Sequence, residues 1–268
     1  MRKNSMSIEL DTFEQKAKSI WLKIAIGGFV LLYFAFWALN GIGFIFYLYK
    51  EYALLSIIWA VLCLHKYFLT ISAKDFDRIK AVRSGYSGEL KALDIFTRLD
   101  GFHAFQQVLI PNKRSRTNTT EADIILVGRG ALFVVEVKNI SGKVYMDSVS
   151  DQWKTQRISG NSTINGSMRN PVNQVLYQKK MLEAAIERRY IGEVPVRALV
   201  YFTSDNLMLM KKNNDEMLVP VYRNPIQGML DDLVMIDSEY LEFEDRDYIL
   251  DLIDEIADEG ASVFKPFS

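Results

Sequence analysis

The stretch that most constrains this chain is Glu121 to Lys138, EADIILVGRGALFVVEVK. Ala122 to Val127 and Ala131 to Lys138 are dense in Ile, Leu, Val and Phe, and Gly128-Arg129-Gly130 between them offers the positive-φ tolerance of a short hairpin turn. The pattern predicts an antiparallel β-hairpin. Turning at 128–130, it brings Asp123 and Glu136 together at its open end, and Glu136 and Lys138, two apart, share a face. Two carboxylates and an ammonium then meet in a small volume, which is costly to bury unbalanced. A divalent cation resolves the conflict. Mg²⁺, with Mn²⁺ as a substitute, suits carboxylate, carbonyl and water oxygens and keeps waters for nucleophile and substrate. An E-x-K on a strand is equally the pattern of a solvated ion pair, so the surrounding residues decide.

Other chemistries lack their residues. Cys63 is the only cysteine, which excludes an intrachain disulfide and a thiolate zinc cluster. His65 and His103 are the only histidines, too few for paired-histidine nuclease chemistry, and no G-x-S-x-G accompanies them. Carboxylate chemistry remains. Between Asp237 and Glu259 eleven Asp and Glu stand against Arg246 alone, while the whole chain is at −1, so the rest of the chain is net basic. A basic body favours an anionic partner, and the acidic stretch reads as a solvated helix face.

The N-terminal third has a different character. Residues 1–23 are a polar, mixed-charge flank, and from Ile24 to Tyr49 no charge appears for 26 residues. As a helix that run reaches about 39 Å, against a hydrocarbon core of ~30 Å. A second apolar run goes from Tyr52 past Lys66 to Ile71, with the turn either at Lys50-Glu51 or at Asn40 to Gly43. Together, 24–71 read as a two-helix transmembrane hairpin. Arg2, Lys3, Lys16, Lys18 and Lys23 precede it and Lys74, Arg78, Lys80 and Arg83 follow, so both termini are expected on the cytoplasmic side of the inner membrane.

Residues 72–86 read as a juxtamembrane helix and linker, broken at Ser84 to Gly88, with Ser87 capping a helix from Gly88 to Leu99. Glu89 falls in its first turn, where the helix dipole favours a carboxylate. Phe105 to Ile110 reads as a strand. In the loop that follows, Lys113, Arg114 and Arg116 either contact phosphates or are solvated. Beyond the hairpin come a strand at Lys143 to Met146 and a Gly/Ser/Asn-rich loop at 159–167. Asn170-Pro171 then opens a helix to about Arg189, with a capping Asn and Pro in the first turn. Gln174 sits one turn inside it, where anions are favoured, and Lys179 and Lys180 make it basic. Val196 to Phe202 fits a central strand.

Gly88-Glu89, Glu121-Ala122-Asp123, Glu136-Val137-Lys138-Asn139 with Gly142, Trp153, and Asn170-Pro171 with Gln174 together resemble the nuclease-related domain (NERD) family of the PD-(D/E)XK nuclease superfamily. The resemblance implies an α/β, restriction-endonuclease-like core, a mixed sheet flanked by helices, over 87–205, with 206–268 as an extension carrying an acidic helix. It implies Mg²⁺ held by Asp123, Glu136 and the backbone carbonyl of Val137, with Glu89 ligating directly or through water. Lys138 would orient or deprotonate the attacking water, and Gln174 would position metal, water or phosphate. This strand carries Glu-Ala-Asp where Glu-Ile-Asp is common in the family. Related nucleases often have Gln and Tyr four apart on the second helix; Gln174 and Tyr177 are three apart, so Tyr177 is assigned no role.

The expected function is a membrane-anchored, metal-dependent DNA endonuclease, with RNA equally open because no 2′-hydroxyl reader is recognisable. Lys113, Arg114, Arg116, Lys179 and Lys180 are the candidate nucleic-acid contacts. Family context makes defence against foreign DNA such as phage the expected setting, with activity restrained by weak basal turnover, by a trigger or by an absent partner. A second reading is a catalytically silent nuclease-like module that binds nucleic acid or a protein at the membrane.

Overall fold

The computed structural model describes residues 83–264, apart from 160–161, 191 and 212–215. The chain divides into two compact units, Met1–Arg83 and Ser84–Ser268. The expected flank, the transmembrane hairpin at 24–71 and most of the linker lie outside the described residues. Among the described residues no helix is long and apolar enough to cross a membrane.

The second unit is mixed α/β. Helix α1 covers residues 83–96, followed by β1 (His103–Pro111), β2 (Thr119–Val127), β3 (Leu132–Lys138), β4 (Gly142–Met146), β5 (Gln152–Ser159) and β6 (Ser162–Arg169). Then come α2 (Pro171–Glu187), β7 (Val196–Phe202), β8 (Leu207–Lys211), β9 (Val221–Arg223), α3 (Gln227–Ser238) and α4 (Arg246–Val263). One sheet has the order β1-β2-β3-β7-β9 and the other β6-β5-β4-β8. In the first, β1, β2 and β3 are antiparallel neighbours, whereas β7 runs parallel to both β3 and β9.

Strand β3 is central and buried on both faces, which is why it reads as an unbroken apolar run. Its Leu132 and Val134 join Val172, Val175 and Leu182 of α2 and Ile249, Leu252 and Ile256 of α4 in one core. Phe133, Val135 and Val137 face the other way, onto Ala92 and Phe96 of α1 and Met229 and Leu233 of α3. Each of the larger of these buried side chains is worth roughly 1.5–3 kcal/mol. That anchorage holds β3, and the charged residues at its end, in a fixed place.

Three local expectations need correction. Residues 84–88 do not break the chain, because helix α1 runs through them and ends at 96. Gly88 serves close packing instead, since a Cβ there would stand 2.6 Å from Asn139 Cβ and 2.9 Å from Thr203 Oγ1. The hairpin turn closes with Gly128 N–H donating to Ala131 O at 2.9 Å, but neither Gly128 nor Gly130 has positive φ. A side chain at Gly128 would collide with the carboxylate of Asp237, and one at Gly130 would meet Tyr240 and Leu241. Finally, most of the loop expected at 159–167 is strand β6, paired with β5 from Gln152↔Arg169 to Ser159↔Ser162. Its residues are almost all exposed, so no apolar alternation marks it. The segment 206–268 contributes β8, β9, α3 and α4 to the same compact unit.

Candidate active site

The site begins where the face alternation of two paired strands slips by one residue while their register stays the same. β1 and β2 match residue for residue from His103↔Val127 to Gln106↔Ile124 and again from Val108↔Ala122 to Pro111↔Thr119, leaving Gln107 and Asp123 unmatched. Gln107 takes the left-handed region, with φ 51°. The alternation of faces shifts by one residue there: Ala122 and Ile125 enter one core although they are three apart, and Ile124 enters the other. Asp123 therefore faces neither core. Its Oδ2 accepts from the N–H of Val137 at 2.8 Å, one step beyond the last β2–β3 pair, Ile124↔Val135. On the opposite edge of β3, Lys138 O accepts from Thr203 N–H at 3.0 Å. Successive residues of a strand point their backbone groups to opposite edges, so the carbonyl of Val137 lies on the Asp123 edge.

Glu136 is 2 % exposed, and its two oxygens are held separately. Lys138 Nζ forms a short ion pair with Oε1, and Gln178 Nε2 donates to Oε2 at 2.6 Å. Gln178 also donates to the backbone carbonyl of Glu121 at 3.0 Å, so one amide ties α2 to both strands. Helix α2 starts where it does because Asn170 Oδ1 accepts from Val172 and Asn173 N–H, while its Nδ2 donates to Ser150 O at 2.8 Å. Pro171 takes the first turn, where its missing N–H costs nothing.

Glu89 reaches the site from α1. It is 7 % exposed and accepts from Gln107 Nε2 at 2.8 Å, so the strained residue of β1 is its partner. Burial, with the nearby Glu121 and Glu136 charges, pushes Glu89 up to about 6 against the Gln107 hydrogen bond and Lys138. Asp123 is raised well above the usual carboxylate range, first by burial and then by Glu136. Burial pulls Lys138 down, but the carboxylates of Glu136, Asp123 and Glu89 outweigh it and hold the lysine raised and protonated. Three carboxylates face one ammonium, and the Glu121 charge adds to them at Glu89.

The structure thus gathers Glu89, Asp123, Glu136, Val137 and Lys138 as the sequence expects. Gln174 lies partly buried one turn before Gln178, and its Oε1 has no hydrogen-bond partner among the described residues. The α2 residue that contacts a site carboxylate is Gln178. Gln178 sits four residues after Gln174 on the same face, a spacing that was available in the sequence. Gln107 had no such signal, because its role depends on the slip. Tyr177 does hold a contact, accepting from Asn112 Nδ2 at 2.7 Å, which fixes the base of the loop bearing Lys113, Arg114 and Arg116. All three of those cations are exposed, and Lys180 is as well. Lys179 pairs with Glu183 at 3.4 Å and lines a cavity of about 470 Å³ with Arg197 and Tyr240.

The donor set is that of a hard cation. Among the described residues no three His, Cys, Asp or Glu side chains form a metal-binding group by themselves. A set of two carboxylates, a carbonyl and waters is the composition Mg²⁺ prefers. Gln174 Oε1 and Gln178 Oε1 are buried acceptors that lack donors among the described residues. Water on a cation would supply such donors, so the residues fit the ion.

Residues 84–203 match the family model NERD, nuclease-related domain. The match spans every residue of the site, from Glu89 to Gln178. The chain matches no curated protein and no solved structure.

Proposed function

We propose that the chain is a metal-dependent nuclease that hydrolyses phosphodiester bonds in DNA, held at the cytoplasmic membrane by residues 24–71. The observation that carries this reading is the meeting of the partly buried Asp123 of β2 with the buried Glu136 near the end of β3. Asp123 is fixed by the Val137 N–H, and Glu136 is fixed by Lys138 and Gln178. With the nuclease-related match over the same residues, that arrangement favours phosphoryl chemistry over a structural ion pair.

Asp123, Glu136 and the Val137 carbonyl would hold Mg²⁺, with Glu89 ligating directly or through water. When bound, the ion offsets carboxylate charge and lowers the pKa of its water. The rest falls to the chain. Lys138, protonated, places a cation where charge develops on the phosphoryl oxygens. Gln178 keeps Glu136 in one rotamer, and Gln107 does the same for Glu89. Foreign DNA entering at the membrane is the substrate this placement serves, and RNA hydrolysis is the variant to test beside it.

The test is cleavage of supercoiled plasmid and of single-stranded RNA by the full chain in mild detergent, with Mg²⁺, Mn²⁺ or EDTA. Cutting should need the metal and fall at least about 100-fold in Asp123→Ala and in Lys138→Ala. A folded wild type that binds DNA and leaves it intact in both metals would transfer the site to the silent binding module.

A further inference from the structure

We infer that the open face of the second sheet is a nucleic-acid docking surface, separate from the carboxylate site and joined to it in the chain. The inner face of this sheet carries Val144 and Trp153 into the core. Residues of opposite parity, brought level by the pairings Lys143↔Gln156, Tyr145↔Lys154 and Gln152↔Arg169, make up the other face. Lys143, Lys154 and Arg169 are its charges. Lys154 and Arg169 are exposed, and none of the three has an ion-pair or hydrogen-bond partner among the described residues.

The four strands contain no Asp or Glu. A solvated surface usually mixes both signs, whereas a face with cations only is matched to a polyanion. Two further features favour nucleic acid over another polyanion. Tyr145, 39 % exposed among these cations, presents a ring on which a base can stack. Gln156 and Asn165 hydrogen-bond across the strands at 3.1 Å and present amides suited to phosphate and sugar. β4 starts four residues after Lys138, so Lys143 lies within roughly 18 Å of the site lysine even along an extended chain. At about 3.4 Å per nucleotide of a duplex strand, Lys143 is thus within about five nucleotides of the site lysine.

The inference rests on the nuclease reading for its purpose but not for its test. The full chain in mild detergent, in EDTA so that nothing is cut, is acetylated at its lysines with and without a 20-nucleotide oligonucleotide. The products are mapped by mass spectrometry. Lys143 and Lys154 should be protected several-fold by the oligonucleotide and not by phosphatidylserine vesicles. Lys154→Gln with Arg169→Gln, both exposed substitutions, should weaken oligonucleotide binding about tenfold at low salt and reduce the salt dependence by roughly two counterions.

Absence of protection by the oligonucleotide overturns the inference. So does protection by the vesicles alone, which would mark a lipid-facing surface, or protection that rises with protein concentration, which would mark contact between copies. An enzyme that binds through this face and never cuts would sink the nuclease reading and leave this one standing.

Discussion

Glu89 must ionise in surroundings that oppose it. Its carboxyl is 7 % exposed and is pushed up to about 6 by burial and by the Glu121 and Glu136 charges, with Gln107 as partial relief. In the unfolded chain the same group titrates near 4.5. Between those values the folded state retains a proton that the unfolded state has released, so stability falls as pH rises through the window. The difference amounts to roughly 2 kcal/mol. Asp123, raised first by burial, acts in the same direction. In urea denaturation without metal, wild type should lose about that much relative to Glu89→Gln between pH 4.5 and pH 7. A constant difference across the window would mean that Glu89 is effectively solvated. Asp123, Glu136 and Lys138 were legible in the sequence because hairpin geometry and two-residue periodicity suffice to place them. Gln107 was not, because a one-residue slip shared by two strands leaves no compositional trace.

Helix α3 explains a carboxylate that the sequence reading assigned to solvent. Asp237 begins the acidic stretch but is buried, and it accepts from the N–H groups of Arg129, Gly130 and Ala131 at 2.9, 3.0 and 2.9 Å. One residue thereby caps the turn between β2 and β3, and Gly128 and Gly130 are glycines because α3 and the segment after it approach so closely. Arg246, the single cation of the stretch, donates to the carbonyls of Gly128, Val127 and Gly101 around the same turn. Solvation does describe α4, where Asp251, Asp254, Glu255 and Asp258 are exposed. The charge count was right, but which acid turns inward depends on tertiary packing that no local pattern encodes. Asp237→Ala should cost about 3 kcal/mol by leaving two buried donors and one half-buried donor without a partner. The turn lies at the far end of the hairpin from Asp123 and Glu136, so plasmid cleavage below the melting transition should stay unchanged. A loss under about 1 kcal/mol in urea denaturation would show that water takes over the turn.

For the molecule as a whole, the family match ends before the fold does. Residues 84–203 match the nuclease-related model, yet the sheet is completed by β9, which pairs with β7 through Val200↔Val221. One core is closed by Ile249, Leu252, Ile253 and Ile256 of α4, and the other by Met229 and Leu233 of α3. Arg189 of the loop after α2 also pairs with Glu259 of α4. Removing 204–268 would expose the partners of all these side chains. At roughly 1.5–3 kcal/mol each, the loss is on the order of 10 kcal/mol, comparable to the whole stability of a domain this size. The fragment 84–203 should therefore be aggregated or molten, and 84–268 should melt cooperatively. Circular dichroism melts and size-exclusion chromatography of the two decide the matter. Cooperative melting of 84–203 would mean that α3 and α4 are accessory layers, and the matched segment would then stand as a domain of its own. The opposite result makes the last two helices part of the same folding unit as the site, since they cover the strands that hold Gln107, Asp123 and Glu136 in register.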